Sequence, residues 1–336
     1  RSGFRGPLQH IKPEEIESFC QTLQAELAKN PLSAGAVTKA VVIDVNDAKK
    51  KVTVRMGISQ GVIAFKDMQW ARKPDVELAY HEAKIRKPSE ALAAGDVILV
   101  RVKKEKNEDN DTWPVDLEQM PVAQSALMCI EAETGLVKAM VGGRDFKQTQ
   151  FNRAIQSRRQ PGSAFKPIIY AAALDRPSDD PEKIYTPATV IVDSAIVFKD
   201  EERDFTWKPK NYKKTFYGPT LFRKALTKSR NLVTIKILQD IGVDYAINYA
   251  TKMGIDSKLS RDLSIALGSS GISLLELLRA YSVFANQGYL VEPVFVLKVT
   301  DRHGNVLEEM APERKKVIEK STAYIMTCLL YTSPSP

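Results

Sequence analysis

A Pro-Gly turn that leads directly into an apolar helix constrains the fold of this chain more than any other feature. The turn is Pro161-Gly162, and the helical stretch runs from about Ser163 to Leu174. Its apolar side chains include Phe165, Ile168, Ile169, Ala172 and Ala173. Pro167 lacks an amide proton, so it must lie in the first turn of the helix or just beyond it. The helix therefore begins close to Ser163.

Ser163 and Lys166 lie one turn apart on the same face of this helix start. A serine hydroxyl is a poor nucleophile until a base within hydrogen-bond reach takes its proton. A lysine can be that base only when it is neutral, which requires burial or a nearby positive field. The helix N-terminus supplies such a field, and its free amides could stabilise an oxyanion. Ser-x-x-Lys occurs by chance about once in a chain of this length, but here we expect the apolar helix to bury the lysine.

A second candidate element, Ser229-Arg230-Asn231, stands directly ahead of an apolar helix that begins at Leu232. A Ser-x-Asn sequence at the head of a helix is most often only a cap. The functional alternative is that Ser229 relays a proton to a leaving amine while Asn231 holds a substrate amide. The residues alone leave both interpretations open.

The first third of the chain has a different sequence pattern, in which one helical stretch is followed by short β-branched runs. Residues 13–28 have helical spacing, with Pro13 at the start. Short β-branched runs at 40–45, 52–56, 62–65 and 97–102 follow. We assign residues 1–32 to a linker helix region and 33–105 to a small β-barrel, for which the oligonucleotide-binding type is one candidate. The charged run at 103–111 is interpreted as a solvated loop near a domain boundary.

A second domain, assigned to residues 115–327, combines strands and helices. Thr134-Gly135 lies between two β-branched runs and predicts a hairpin, and residues 294–305 predict another. Helices are predicted at 163–174, 220–225, 232–241 and 273–286. Strands that flank a helical block indicate an α+β domain. The tail, residues 328–336, ends in Ser-Pro alternation that cannot continue a helix, and we interpret it as aberrant.

Composition excludes several classes of function. The chain has 336 residues, a formal charge of +8 and only three cysteines and three histidines, all isolated from one another. This spacing supports neither a zinc site, a disulfide framework nor a Ser-His-Asp triad, so neither metal nor cofactor is expected. No apolar run approaches the ~18–20 residues of a membrane helix. The positive charge favours anionic neighbours without choosing among them.

The two candidate elements, taken with several further stretches, resemble the class A penicillin-binding proteins. Ser-x-x-Lys followed by Ser-x-Asn belongs to the motif set of penicillin-binding proteins and β-lactamases. The resemblance rests on residues 132–135, 140–146, 151–154, 159–167, 207–212, 218–221, 229–232 and 280–286. It implies an α+β, penicillin-binding/β-lactamase-like transpeptidase domain, preceded by the OB-like β-barrel that bifunctional members carry between their catalytic domains.

The resemblance also implies a function. Ser163 would attack the D-alanyl-D-alanine bond of a peptidoglycan stem peptide, with Lys166 as base, Ser229 as proton relay and Asn231 on the substrate. Its partners would be stem peptides on lipid II-derived glycan strands, and β-lactam antibiotics would acylate Ser163. The family acts on the periplasmic side of the bacterial inner membrane. The parent protein would be membrane-anchored and would also carry a glycosyltransferase domain.

The third motif of the set, Lys-Thr-Gly, is absent. Lys214-Thr215 is followed by Phe216 and precedes Ser229, so it fits neither in residue nor in order. In the family this strand binds the substrate carboxylate and frames the oxyanion hole. We therefore expect the transpeptidase domain to be incomplete in this chain, with little activity of its own.

Two other functions remain open. A penicillin-recognising sensor or an inactive relative would have the same fold without carrying out synthesis. A basic barrel could instead bind single-stranded nucleic acid, but only Phe65 and Trp70 lie near its strands, and stacking on bases needs interleaved aromatics. No nucleic-acid partner is therefore expected.

Overall fold

The strands of the first third of the chain form a sheet that closes on itself. The computed structural model describes residues 3–72, 77, 84–103, 112–180, 184–200 and 205–331, and it divides into two units, residues 1–123 and 124–336. Six strands lie in the first unit: β1 (Gln9–His10), β2 (Val37–Asn46), β3 (Lys51–Met56), β4 (Ser59–Ala64), β5 (Asp96–Val102) and β6 (Thr112–Glu118). Their order is β1-β5-β2-β3-β4-β6, and β5 also pairs with β6. That last pairing closes five strands into an OB-like barrel, and the four predicted strands are confirmed.

The end of the barrel at residue 105, which the sequence suggested, is wrong. Strand β6 runs parallel to β4 and antiparallel to β5, and its Val115 and Leu117 point into the barrel core. Without this strand the barrel would have two open edges. The predicted loop at 103–111 lies, apart from Lys103, outside the described residues. Lys103 itself pairs with Asp67 and Asp116 of the same unit.

Residues 1–32 are not a separate linker. A 3₁₀ turn at Pro13–Glu15 leads into helix α1 (Ile16–Lys29), which confirms the predicted helix. One face of α1 is apolar, and its Cys20 and Leu23 are buried against the barrel. Arg55 of β3 binds Glu17 at 2.7 Å on the exposed side of this contact. The helix therefore belongs to the first unit.

The second unit is α+β, as predicted. Its helices are α2 (Lys166–Leu174), α3 (Phe222–Thr227), α4 (Asn231–Ile241), α5 (Val243–Lys252), α6 (Leu274–Ala285) and α7 (Lys320–Tyr331). Its strands are β7 (Leu127–Ile130), β8 (Val137–Val141), β9 (Val190–Asp193), β10 (Phe198–Asp200), β11 (Phe205–Trp207), β12 (Gly218–Leu221), β13 (Tyr289–Val291), β14 (Lys298–Thr300), β15 (Val306–Glu309) and β16 (Arg314–Lys316). They form the pairs β7–β8, β9–β12, β10–β11, β13–β16 and β14–β15, which include both predicted hairpins.

Helix α2 lies at the centre of the core of this unit. Every residue from Lys166 to Ala173 is buried, and helices α4, α5 and α7 pack around it. Ser273 caps α6, its hydroxyl accepting from the Glu276 N–H while the Glu276 carboxylate accepts from the Ser273 N–H. The helices predicted at 163–174, 232–241 and 273–286 are thus confirmed.

Two predictions in this unit are wrong. The helix predicted from Thr220 begins only at Phe222, because Gly218–Leu221 is a strand that pairs with Val190–Asp193. Helix α7 also continues through Tyr331 into the tail that we interpreted as aberrant. Leu329 lies three residues after Met326 on the same buried face, so the helical pattern holds there. Residues 332–336 lie outside the described residues.

No helix within the described ranges is both long and apolar enough to cross a bilayer.

Candidate active site

The turn before Ser163 is held in place by hydrogen bonds to the segment that precedes α6. Gly162 has a φ of +58°, and its N–H donates to the carbonyl of Gly268 at 3.2 Å. A Cβ on Gly268 would overlap the backbone of Gly162, so only glycine permits this approach. Two backbone bonds between Arg159 and Ile272, of 2.9 and 3.0 Å, join the same two segments. The position of Ser163 is therefore set by residues far later in the chain.

Ser163 lies in a single 3₁₀ turn, Gly162–Phe165, that continues directly into α2, so the predicted helix start is confirmed. Its side chain is exposed, and its N–H has no acceptor among the described residues. The Tyr281 hydroxyl of α6 donates to the carbonyl of Ala164 at 2.8 Å and holds this turn in place. An exposed hydroxyl beside a free amide is the arrangement that an attacking serine and an oxyanion donor require.

Lys166 is the first residue of α2, and its side chain is buried, as predicted, with 1% exposure. Its Nζ donates to three oxygens: the Ser229 carbonyl at 2.8 Å, the Ser229 hydroxyl at 2.9 Å and Asn231 Oδ1 at 2.6 Å. The structure thus brings together three of the four candidate residues that the sequence proposed. Lys166 begins α2, Asn231 begins α4, and Ser229 lies between α3 and α4, so residues far apart in sequence meet here.

Burial lowers the pKa of Lys166 from its ordinary 10.5 to about 8, because a desolvated ammonium is disfavoured. The three oxygens around Nζ match the three N–H donors of the charged form. A neutral amine has two N–H donors and one lone pair, and of the three partners only the Ser229 hydroxyl can donate to that lone pair. Lys166 can therefore exist in both protonation states with all its partners satisfied. The Ser229 hydroxyl accepts a hydrogen bond from the charged amine and can donate one to the neutral amine.

The side chains of Ser163 and Lys166 are not joined by the hydrogen bond that the sequence suggested, although the Lys166 N–H donates to the Ser163 carbonyl. No hydrogen bond joins Ser163 Oγ to Lys166 Nζ in the part of the chain that the structure describes, whereas Ser229 is bound directly. Spacing along one helix places the two residues on a common face but does not fix their side-chain torsions. In structures without substrate, hydrogen bonds between catalytic groups are often unformed.

Ser229 has a left-handed backbone, with a φ of +50°. It occupies the junction between α3 and α4, where its N–H donates to the Leu226 carbonyl and the next N–H donates to the Ala225 carbonyl. A non-glycine residue in this region is strained by about 1–2 kcal/mol. Strain of this kind persists where the surroundings over-determine a conformation, often at functional sites.

The interpretation of Ser229-Arg230-Asn231 as a simple cap is wrong. The N-cap residue of α4 is Arg230, and its side chain makes no capping bond. The acceptor instead comes from Asn211, whose Oδ1 accepts the N–H groups of Asn231 and Leu232. The Asn231 side chain donates to the Lys210 carbonyl at 3.0 Å and accepts from Lys166. Its predicted contact with a substrate amide stays a prediction.

Asn211 is a residue that sequence reasoning missed. It lies within the 207–212 stretch that carried the resemblance, but no local pattern distinguishes a capping asparagine twenty residues before its helix from an ordinary turn residue. Only the folded chain brings it to the N-terminus of α4.

Within the described residues, no group of three or more His, Cys, Asp or Glu side chains could hold a metal ion. Within the same residues, Cys20, Cys129 and Cys328 form no disulfide.

Two family models match this chain, one for each of its two units. The family model of the penicillin-binding protein transpeptidase domain matches residues 126–335, and that of the penicillin-binding protein OB-like domain matches residues 4–123. Penicillin-binding protein 1A of Pseudomonas aeruginosa is 38% identical over 96% of this chain, and that of Vibrio cholerae is 33% identical over 99%. The chain spans 37% and 42% of the lengths of these two relatives.

Solved structures show the same similarity. Penicillin-binding protein 1A from Haemophilus influenzae matches 99% of this chain and 50% of its own, with a TM-score of 0.75 and 26% identity. The PonA1 protein from Mycobacterium tuberculosis in complex with penicillin V matches 62% of this chain and 56% of its own, with a TM-score of 0.52 and 22% identity. The second similarity is one of fold alone.

Proposed function

Because this chain belongs to the class A penicillin-binding proteins and is similar to penicillin-binding protein 1A, we propose that it cross-links peptidoglycan by serine acyl transfer. The observation that carries the proposal is the buried amine of Lys166, 2.9 Å from the Ser229 hydroxyl and one turn after an exposed serine. A buried lysine of lowered pKa that is bound to one hydroxyl and lies one turn from a second is a suitable general base.

The first half-reaction is acylation. Ser163 Oγ attacks the carbonyl carbon of the penultimate D-alanine of a stem peptide, and its proton passes to neutral Lys166. The Ser163 hydroxyl makes no hydrogen bond to the described residues, so it can turn toward Nζ when substrate binds. The Ser163 N–H stabilises the oxyanion. The C–N bond then breaks, and the departing D-alanine amine takes its proton from Ser229, which regains one from Lys166.

The second half-reaction reverses the proton flow. An amine of a neighbouring stem peptide gives a proton to the Ser229–Lys166 pair and attacks the ester carbonyl of the acyl-enzyme. The ester C–O bond breaks, Ser163 recovers its proton, and a new amide joins the two peptides. Water in place of the amine gives the carboxypeptidase reaction. A β-lactam follows the first half-reaction and leaves an ester on Ser163.

Labelling by a fluorescent penicillin tests this proposal. The purified chain and the full-length product of its gene are incubated with the reagent, and the modified residue is located by peptide mass spectrometry. Label on Ser163 that is lost in Ser163→Ala and kept in Ser178→Ala supports the acylation step. Label elsewhere, or none on the full-length product, contradicts it.

Transfer to an acceptor amine separates a synthase from a penicillin-recognising sensor. The full-length protein is given a D-alanyl-D-alanine pentapeptide with a D-amino acid acceptor, and exchange of the terminal D-alanine is followed by mass spectrometry. A synthase releases D-alanine repeatedly, whereas a sensor stops after one equivalent. Salt-sensitive binding of a single-stranded oligonucleotide would instead favour the nucleic-acid module.

Location and partners follow from the same premise. Stem peptides of lipid II-derived strands are presented on the periplasmic side of the inner membrane, and we expect the transpeptidase site to face that side. Glycosyltransfer and membrane anchoring belong to the proposed whole protein rather than to the residues described above. Fractionation of cells that express a tagged full-length protein, with penicillin label found in the membrane fraction, would support this location.

A further inference from the structure

The N-terminus of α4 is capped by a side chain from another segment. Asn211 Oδ1 accepts the N–H of Asn231 at 3.0 Å and the N–H of Leu232 at 3.4 Å. These are two of the first N–H groups of the helix, which have no partner within it. Asn211 is 4% exposed, so neither bond is shared with bulk water.

A buried carboxylate fixes the orientation of this cap. Asp193, at the end of β9, is fully buried, and both its oxygens lie 2.9 Å from Asn211 Nδ2. The same Nδ2 donates to the Thr215 carbonyl at 3.0 Å. Because two acceptors face Nδ2, the amide can present only its oxygen to the helix. Among the described residues no cation pairs with Asp193, and burying a carboxylate with so few donors has a free-energy cost.

The same loop also holds the side chain of Asn231. The Lys210 carbonyl, adjacent to Asn211, accepts Asn231 Nδ2 at 3.0 Å, which turns Asn231 Oδ1 toward Lys166 at 2.6 Å. Residues 210–211 thus fix Asn231 at its backbone and at its side chain. A series of hydrogen bonds therefore connects Asp193, through Asn211 and Asn231, to the Lys166 amine.

We propose that Asp193 and Asn211 are positioning residues of the acyl-transfer site, which set the place of the Asn231 amide and through it the place of the Lys166 amine. This rests on the proposed function, in which Lys166 is the base. Among the described residues no hydrogen bond joins Asp193 or Asn211 to Ser163 or to Lys166, and they act through Asn231.

The isosteric substitution Asn211→Asp tests the role of the amide. An aspartate keeps an oxygen for the helix N–H groups but places a second carboxylate against Asp193. Two buried carboxylates in contact cannot both ionise, so one binds a proton with a raised pKa. We expect acylation of Ser163 by a fluorescent penicillin to fall about tenfold at pH 8, as for loss of a buried charge-assisted bond, and to fall less at pH 6, where the proton is retained.

The swap variant Asn211→Asp with Asp193→Asn separates positioning from simple damage to the fold. It restores one amide facing one carboxylate, now reversed, although the Thr215 carbonyl loses its donor. The swap should recover part of the acylation rate and should lose the extra pH dependence. Asn248→Asp, an exposed change on α5, is the matched control and should behave as the wild type.

Trace acetylation of Lys166 across pH, read by mass spectrometry, reports on the amine independently of any acylation of Ser163. The positioning role predicts that Asn211→Asp moves the pH midpoint of Lys166 modification and that the swap moves it back. If wild-type Ser163 is not acylated, the proposed function fails, and the Lys166 midpoint still decides this inference.

Equal Lys166 midpoints in the wild type and Asn211→Asp would overturn the inference. The inference would also fail if the variants' acylation rates per folded molecule simply ranked with their melting temperatures and if Asn211→Asp lost the same factor at pH 6 as at pH 8. A swap variant slower than Asn211→Asp alone would also contradict it.

Discussion

The rate of Ser163 acylation should depend on pH through the buried amine of Lys166. Only the neutral amine can take the serine proton, and burial lowers the pKa of Lys166 to about 8. The perturbation is a change of pH from 6 to 10 at constant ionic strength. Because the base form is the active one, the rate should rise with pH and then level off.

The size of this change follows from the pKa. With a value of about 8, the neutral fraction is roughly 1% at pH 6, 9% at pH 7, 50% at pH 8 and 91% at pH 9. The rate should therefore rise about tenfold between pH 6 and pH 7 and less than about twofold between pH 8 and pH 9. An unperturbed lysine of pKa about 10.4 would give a rise of nearly tenfold per unit throughout this range.

Stopped-flow measurement of acylation by a fluorescent penicillin supplies the profile, with Ser163→Ala as the blank. A rate that still rises about sevenfold between pH 9 and pH 10, as an unperturbed lysine would give, would refute the role of burial. A rate that is flat from pH 6 would refute the role of Lys166 as base.

The pH dependence of stability is a second test of the lowered pKa of Lys166. Between the folded and unfolded pKa values of Lys166, the unfolded chain binds a proton that the folded chain has released. The free energy of unfolding should therefore rise from pH 8 to about 10. Lys166→Met should abolish that rise in urea titrations.

Three further predictions concern the supports of the site. Ser229→Gly should be more stable than Ser229→Ala by about 1 kcal/mol, because glycine relieves the left-handed strain, while both lose acylation; equal melting temperatures would argue against strain. Gly268→Ala should slow Ser163 acylation by at least about tenfold, since a misplaced nucleophile costs rate, whereas Gly304→Ala, with a positive φ but open space, should leave the rate unchanged. Burial opposes ionisation of Glu276, but hydrogen bonds from Ser273 and Ser257 outweigh it and hold its pKa at about 2. The folded protein should therefore lose roughly 3 kcal/mol as pH falls from above 4.5 towards 2, and Glu276→Gln should show a flatter acid dependence in chemical denaturation.

The parts of the site that sequence predicted are those that depend on local rules. Pro167 determines where α2 begins, whatever surrounds it, and the apolar residues that follow determine that Lys166 is buried. The start of α4 at Asn231 follows from the apolar run after it. For these elements, the residues that determine the structure lie within a few positions of each other in the sequence.

The parts that sequence missed depend on contacts between distant segments. Gly218–Leu221 becomes a strand only because Val190–Asp193 lies beside it, and nothing within the four residues indicates that partner. The partner of Lys166 proved to be Ser229 and not Ser163, since side-chain torsions follow from packing between α2 and α4. Asn211 caps a helix that begins twenty residues later, and such a cap has no local signature.

The way the barrel closes has a consequence for anyone who divides this protein into parts. β6 pairs on both sides, with β4 and with β5, so a polypeptide that stops at residue 105 would leave one edge of β4 and one edge of β5 without its partner strand. Exposed strand edges recruit strands of other molecules. Such a truncated chain should aggregate on expression, whereas one that extends through residue 123 carries its own closing strand and should stay monodisperse.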